Sequence, residues 1–549
     1  MQPPHANHRK SYLSPPHFAE TPLRHLLLVG FLLGAPHLLR AQADSASEGG
    51  SGDAPLLVRR IEIQRQDIFD STEAKNWFTR AANRLHVVTR SSVIRREVLL
   101  NQGEPFDSAR AAESERNLRR LGIFRDVKVD SVRSDSGLDL RVVTRDGWST
   151  RLALSFRSTG GQATYSAQVL ETNLLGTATQ VLVRYGKTPD RTSTQFGFAR
   201  SRLFAHTVGL AFRYEDRSDG NGAAVSVDYP FFSLSSRRAL RIDAGTFKGR
   251  VLRFFDGNKV ARDTLERRLG YARAEGALAL RAGTGGYVRL GLDAQVLRDD
   301  FVPEAFTGSV PRTVTGSAGP FLELSRARFL VTRGFQNFAR DEDVDISTTA
   351  RLQINAAPEA WGYARGGVGP AITLRTGARL PRGFVALAAR ASGLYTSAGL
   401  DSGSVGLAGT VTLQPGRRHL VILHADAGWL KNPVPGGEFD LGLEVGPRAF
   451  KSHAFTGDRT FFTTAEYRWT IVPELWRLVG IGVAGFVDHG GAWYVGSKRR
   501  TGTDAGLGLR LGSSREADVQ AGRIDLARRF ANDVEKSRWV LVVGKGFVF

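Results

Sequence analysis

The sequence predicts a mainly β protein: a transmembrane antiparallel β-barrel preceded by one small α+β domain. Three observations predict it. Period-two alternation recurs in runs of about eight to twelve residues from Trp148 onward, a leader-like apolar segment stands near the start, and the chain stops on an aromatic residue inside a strand-like run. Composition is compatible with this reading. Mean hydropathy is −0.21, which argues against a helical membrane protein and says nothing against a barrel, whose strands are only half apolar. Cysteine is absent, excluding a disulfide framework, a thiolate nucleophile and a zinc knuckle. The net charge of +21 raises nucleic-acid binding, but the charge is dispersed and no nucleic-acid motif accompanies it. Lumen-facing arginines and contact with outer-membrane lipid and lipopolysaccharide account for it instead.

The apolar segment Leu23–Leu39 is broken by Arg24, His25, Pro36 and His37 and ends before Ala41-Gln42-Ala43. Residues 1–43 therefore read as a signal peptide cleaved after Ala43, and 44–54 as a small polar linker. Residues 55–146 change texture. Leu57–Ile63 alternates like a strand, and Ser91-Ser92 is placed to cap a helix carrying Val93, Ile94, Val98 and Leu99. Asp107 begins a helix with Ala111, Ser114, Leu118 and Leu121 on one stripe, ended by Gly122. Phe124–Val129 and Leu138–Thr144 then alternate as strands, giving β-α-α-β-β. Asp67–Arg84 fits least well and reads as an extra helix.

Residues 147–549 are assigned to the barrel. In Phe461–Ile471 the odd positions read Phe, Thr, Ala, Tyr, Trp, Ile and the even ones Phe, Thr, Glu, Arg, Thr. Val479–Asp488 sets Val479, Ile481, Val483 and Val487 against Gly480, Gly482, Ala484 and Asp488. A soluble sandwich yields the same alternation; the leader segment and the chain end decide for the membrane. At that end Trp539, Leu541, Val543, Phe547 and Phe549 share a face, like an outer-membrane sorting signal. Closure against the first strand removes what would otherwise be a sticky edge. Window counting gives 16 to 20 strands, because Ser149–Arg157 and Phe247–Arg273 are hard to parse.

The run from Leu85 to Val129, together with Leu140–Trp148, resembles a POTRA domain, the periplasmic module of the BamA/TamA outer-membrane assembly family. The barrel carries the likeness further: Glu171–Gly176 resembles the family's tight loop after the first barrel strand, and Asp228–Phe232 its aromatic loop pattern. The resemblance implies about 16 strands. It also implies a long sixth outer loop with a valine-arginine-glycine-aromatic motif, folded back so that its arginine meets the aspartate of a phenylalanine-x-aspartate-x-glycine motif on the wall. Arg448 and Asp488 occupy those places, with Phe450, Gly457, Glu466, Phe486 and Gly490 completing the loop and wall motifs. Alternation independently places Asp488 on the polar face. Ala449 stands where the family has glycine, and Pro447 precedes the arginine, which questions the tight turn. A literal Arg333-Gly334-Phe335 lacks the downstream partners and reads as a decoy.

No enzyme is expected, and neither cofactor nor metal. Gly480-x-Gly482-x-x-Gly485 matches a dinucleotide fingerprint literally but lies within a strand with no following helix. The expected function, implied by the resemblance, is insertion, assembly or translocation of proteins at the outer membrane, with the POTRA domain in the periplasm. Clients would dock by strand addition on the POTRA edge, assisted by periplasmic chaperones or accessory proteins. The barrel seam would open at the last strand, where Gly544 and Gly546 weaken packing. A two-partner-secretion-like polypeptide exporter and a passive channel or structural barrel are the alternatives.

Overall fold

The computed structural model describes residues 56–549, apart from positions 71, 135–136, 160–161, 204–206, 256–257, 260–263, 305–312, 337, 339–340, 443–444, 516–520 and 546–549. The expected signal peptide and the linker, and the seam and terminal residues Gly546, Phe547 and Phe549, lie outside the described residues.

The N-terminal domain is a three-stranded sheet with helices packed on it. Val58–Gln66 pairs in parallel with Gly137–Asp146, which pairs antiparallel with Phe124–Ser134. Leu100, Ile94, Leu118, Ile123, Phe124 and Val142 are sealed in its core. The helix Ser108–Arg120 begins as its sequence requires: the Asp107 carboxylate accepts from the Ala109 and Arg110 amides at 2.8 and 3.2 Å. The preceding helix is shorter than expected. It covers Ser91–Glu97 with Arg90 at the cap and no side-chain capping bond, so Ser91 and Ser92 are first-turn residues and Val98 and Leu99 lie beyond it. The extra helix is Trp77–Leu85, capped by Asn76. It packs through Ala82, with Ile68 and Phe69, toward Trp148 and Leu478 of the barrel.

From Thr150 to Lys545 the chain forms a closed antiparallel barrel of twenty strands among the described residues. This corrects the expected sixteen. The stretches that resisted parsing are the first strand, Thr150–Thr159, and the long pair Arg238–Val251 and Leu265–Gly283. Five strands follow the Arg448 loop, the number that would also follow a sixth outer loop in a sixteen-strand barrel. The four additional strands therefore lie upstream, and the loop is the eighth on its side. Outward positions carry Leu152, Leu154, Leu292, Leu507 and Trp539, all well exposed, as a lipid-facing wall requires. Barrel width grows with strand number, so twenty strands enclose more space than wall side chains fill. Inserted segments occupy it.

Closure is made by Arg538–Lys545 against Thr150–Thr159. Among the described residues this seam pairs only at Leu541↔Ser158, Val542↔Arg157 and Val543↔Phe156. On its other side the closing strand pairs without interruption from Gly522↔Lys545 to Arg529↔Arg538.

Candidate functional site

The wall strands Arg459–Leu475, Val479–Trp493, Gly502–Ser513 and Gly522–Arg529 are neighbours. Their pleat directs Glu466, Asp488, Arg510 and Asp525 inward, since alternate residues of a strand share a face. Into this patch the loop after His419–Lys431 delivers Arg448, only 1% exposed. Its Nε donates to Asp488 Oδ2 at 2.6 Å and its Nη2 to Asp488 Oδ1 at 3.1 Å, a bidentate pair. Nη1 donates to Asp525 Oδ2 at 2.8 Å, and both Nη atoms approach Glu466 Oε2 at 3.4 Å. The guanidinium lies over the Phe486 ring, 3.6 Å from its centroid. Arg510 closes the network, donating to Asp525 Oδ1 at 2.5 Å and lying 3.1 Å from Glu466 Oε1. Arg468 donates to the same Glu466 oxygen at 2.5 Å.

Three arginines thus face three carboxylates. With Asp488 and Asp525 at 0% exposure, no member has bulk water to fall back on, and the cost of burial is met only while the set is complete. The arrangement makes no nucleophile and presents no open coordination site; it is a mechanical anchor.

The loop backbone is held as firmly. The Ala449 amide donates to Asp504 Oδ2 at 3.0 Å, its carbonyl accepts from Arg529 at 3.1 Å, and the Lys451 amide donates to Glu535 at 3.0 Å. Arg529 and Glu535 are themselves paired. The anticipated difficulty at Ala449 does not arise: Gly446, with φ +92°, takes the left-handed position, and Ala449 has no positive φ. Its methyl packs with Phe486, Ala527, Val540 and Val542. Since Val540 and Val542 are the inward residues of the closing strand, the arginine loop braces that strand from inside.

Phe450 is fully buried beside Phe455, with ring centroids 5.1 Å apart. It rests where a Cβ on Gly502 would meet its ring at 2.3 Å. Gly457 and Gly490 are required for close approach: a Cβ at either would come within 2.0 Å of Trp493 backbone or 2.6 Å of the Phe461 carbonyl. Gly544 pairs with Arg523 in the closing ladder. The structure therefore brings together Arg448, Asp488, Glu466, Phe450 and Phe486. Sequence reasoning missed Asp525, Arg510, Asp504, Arg529 and Glu535. The signal available was the inward set Arg523, Asp525, Ala527 and Arg529 of one strand.

At its tip the loop is tied to two other outer loops, through Phe254 and Asp190. His453, at φ +61°, stacks on Phe254 with centroids 3.6 Å apart. It bonds Asp190 at 2.7 Å and also contacts Asp440. The two carboxylates overcome the effect of burial and raise its pKa from 6.5 to about 9.

The opposite end of the barrel meets the N-terminal domain, and both loop motifs seen in the sequence lie there. Asn173 donates to Thr89 Oγ1 and accepts from the Ala178 amide, each at 2.8 Å, while Gly176 takes φ +69°. Leu234 donates to Glu113 at 2.6 Å, and Arg202 lies over Phe232. Arg515 forms a bidentate pair with Glu73, both bonds at 3.0 Å. Among the described residues no group of three or more His, Asp or Glu side chains could hold a metal ion.

An α+β module seated against one end of a barrel, with an arginine loop bracing the closing strand from within, defines a class of membrane protein. Residues 85–145 match the POTRA family, surface antigen variable number repeat. The chain is 25% identical over 320 residues to the outer membrane protein assembly factor BamA of Neorickettsia risticii, covering 48% of this chain and 42% of that protein. It thus spans less than half the length of that relative. Solved structures with a similar course include BamA from Haemophilus ducreyi lacking POTRA domains 1–3 (12% identity, 90% and 85% of the two chains, TM-score 0.37). CdiB from Escherichia coli is another (12% identity, 93% of each chain, TM-score 0.44). The chain thus joins a segment that matches the POTRA family to a closed β-barrel, and is similar over part of its length to a protein of the BamA/TamA type.

Proposed function

We propose that this chain is an outer-membrane protein that assists insertion, assembly or translocation of polypeptides, with its POTRA domain in the periplasm and no enzymatic step. One observation carries the reading: a buried arginine hub positions Ala449 against the two inward valines of the strand that closes the barrel against its first strand. A membrane barrel has no water with which to satisfy an opened edge, so an edge that separates must be exchanged for another strand. A seam braced from inside is suited to that exchange, whereas a passive pore gains nothing from the brace. The brace holds the strand while the seam is closed and preserves its register while the seam is parted.

Client segments would approach along the POTRA sheet, whose outer strand Phe124–Ser134 has one unpaired side in the sheet and offers main-chain donors and acceptors for strand addition. Accessory proteins, lipid and lipopolysaccharide belong to the same reading. Depletion of the protein followed by profiling of the outer membrane tests it. Broad loss of barrel proteins supports assembly, loss of one exported polypeptide supports translocation, and an unchanged outer membrane refutes both.

A further inference from the structure

A second inserted segment is not used by this reading. Between the wall strands Val314–Arg326 and Thr348–Ala357 the chain forms a hairpin, Phe329–Arg333 against Asp341–Asp345, at the POTRA end of the barrel. It contains Arg333-Gly334-Phe335. Arg333 pairs with Asp341 of the same hairpin in a well-exposed position, so it does not play the part of Arg448. Phe335 is buried, edge-on to Phe384 at 5.2 Å, in a cluster with Ile346, Leu420 and Ile422. Gln414 accepts from Thr332 at 3.0 Å and donates to the Arg333 carbonyl at 2.8 Å.

The hairpin extends further. The Ala521 amide donates to the Gln336 carbonyl at 2.9 Å. Phe338 lies on a row of wall glycines: a Cβ at Gly480, Gly482 or Gly512 would come within 2.3, 3.2 or 2.8 Å of its side chain. Two of the three glycines that imitate a dinucleotide fingerprint, Gly480 and Gly482, thus help to seat an aromatic ring. From Thr348–Ala357 to Val479–Trp493 is six strands round a ring of twenty, so the hairpin spans much of the mouth as a chord. A cleft lined by Phe335, Phe338, Gln414, Arg418, Arg468 and Arg510 remains between it and the wall. The same hairpin is fastened to the POTRA domain. Arg119, at the end of Ser108–Arg120, makes a bidentate pair with Asp343 at 2.6 and 2.8 Å, and Arg116 lies over Phe329 at 4.5 Å.

We propose that the paired strands Phe329–Arg333 and Asp341–Asp345, with Phe335 and Phe338, form a plug that closes the POTRA-side mouth of the lumen, and that the Arg119–Asp343 latch couples its position to the POTRA domain. The latch is partly exposed, with side chains 14% and 18% accessible, and is the weaker attachment. The Phe335 and Phe338 seats are apolar and hold until the hairpin is drawn off them. The plug holds equally for an assembly factor, an exporter or a passive barrel, and so stands apart from the proposed function.

The test is ion conductance of the full chain in planar bilayers, with heat-modifiable gel mobility to verify the folded barrel. Phe335→Ala/Phe338→Ala should raise conductance several-fold over the native chain. Arg119→Ala and Asp343→Ala should each raise the frequency of opening, and the double variant should do no more than either, because both remove one interaction. The cysteine-free background permits a lock: Phe338→Cys/Gly512→Cys, oxidised in the Arg119→Ala chain, should hold conductance at the native level until reductant is added. Native conductance in the folded double-phenylalanine variant overturns the proposal. If that variant fails to fold, the lock decides: no change in conductance on oxidation overturns it equally.

Discussion

Replacing Arg448 by alanine removes the only cation bonded to Asp488 in the described network and leaves that carboxylate with the Thr464 hydroxyl at 2.6 Å and the neighbouring Asp504 carboxyl. Asp525 and Glu466 fare better, because Arg510 remains at 2.5 Å from one and 3.1 Å from the other. The loss therefore falls mainly on one fully buried charge, and breaking a buried pair on one side costs about 3–5 kcal/mol. The Phe486 stacking contact adds to it, so the upper half of that range is expected for Arg448→Ala. Arg448→Lys keeps the charge but loses the fork and the planar stacking, and should forfeit about half as much. Asp488→Ala in the Arg448→Ala background removes the orphaned carboxylate, so the double variant should be more stable than the summed losses by about 2–3 kcal/mol. Urea unfolding of the barrel, followed by tryptophan fluorescence, gives these values. Labelling of Lys451→Cys by an impermeant maleimide reports the loop itself, and should be fast in the Arg448→Ala chain and slow otherwise. Stability within about 1 kcal/mol of native, with unchanged labelling, would refute the buried anchor.

Three further outcomes follow from the same structure. The pKa of His453 is raised from 6.5 to about 9, so its tie to Asp190 is complete below 6.5 and is lost as pH rises through about 9. A cysteine pair placed across the two loops should cross-link freely at pH 7 and poorly at pH 10, and His453→Gln should abolish the difference. Asn173→Ala removes the bond to Thr89 Oγ1 and the side-chain acceptor of the Ala178 amide at the domain junction and should cost about 1–3 kcal/mol, read as faster proteolytic release of the POTRA domain. Gly502→Val places side-chain atoms where the Phe450 ring sits and should increase loop labelling with Arg448 intact.

The alternation of the barrel was legible because each strand has one face in a wet or packed interior and one turned outward. Asp488 could be assigned to the inner face from Val479–Asp488 alone. The strand number was less legible, since length and glycine content do not separate a long strand such as Leu265–Gly283 from two shorter ones. Arg448 and Asp488 were readable as a pair through the family resemblance. Asp525 was not, because it approaches Arg448 across 77 positions and its neighbours carry no motif. His453 and Asp190, 263 positions apart, leave no local trace at all. Ala449 shows a different limit: a glycine in a motif does not establish that the backbone there needs one. The Arg333-Gly334-Phe335 and glycine-row coincidences had no sequence-level meaning until the hairpin set Phe335 on Phe384 and Phe338 on the glycines.

The central claim is that the braced seam parts during function. Val543 and Phe156 face each other across it, and the native chain has no cysteine to interfere. The direct measurement is assembly of an unfolded outer-membrane barrel substrate by Val543→Cys/Phe156→Cys protein reconstituted in vesicles, oxidised and then reduced. The account predicts that assembly stops on oxidation and returns with reductant; equal assembly in both states would contradict it.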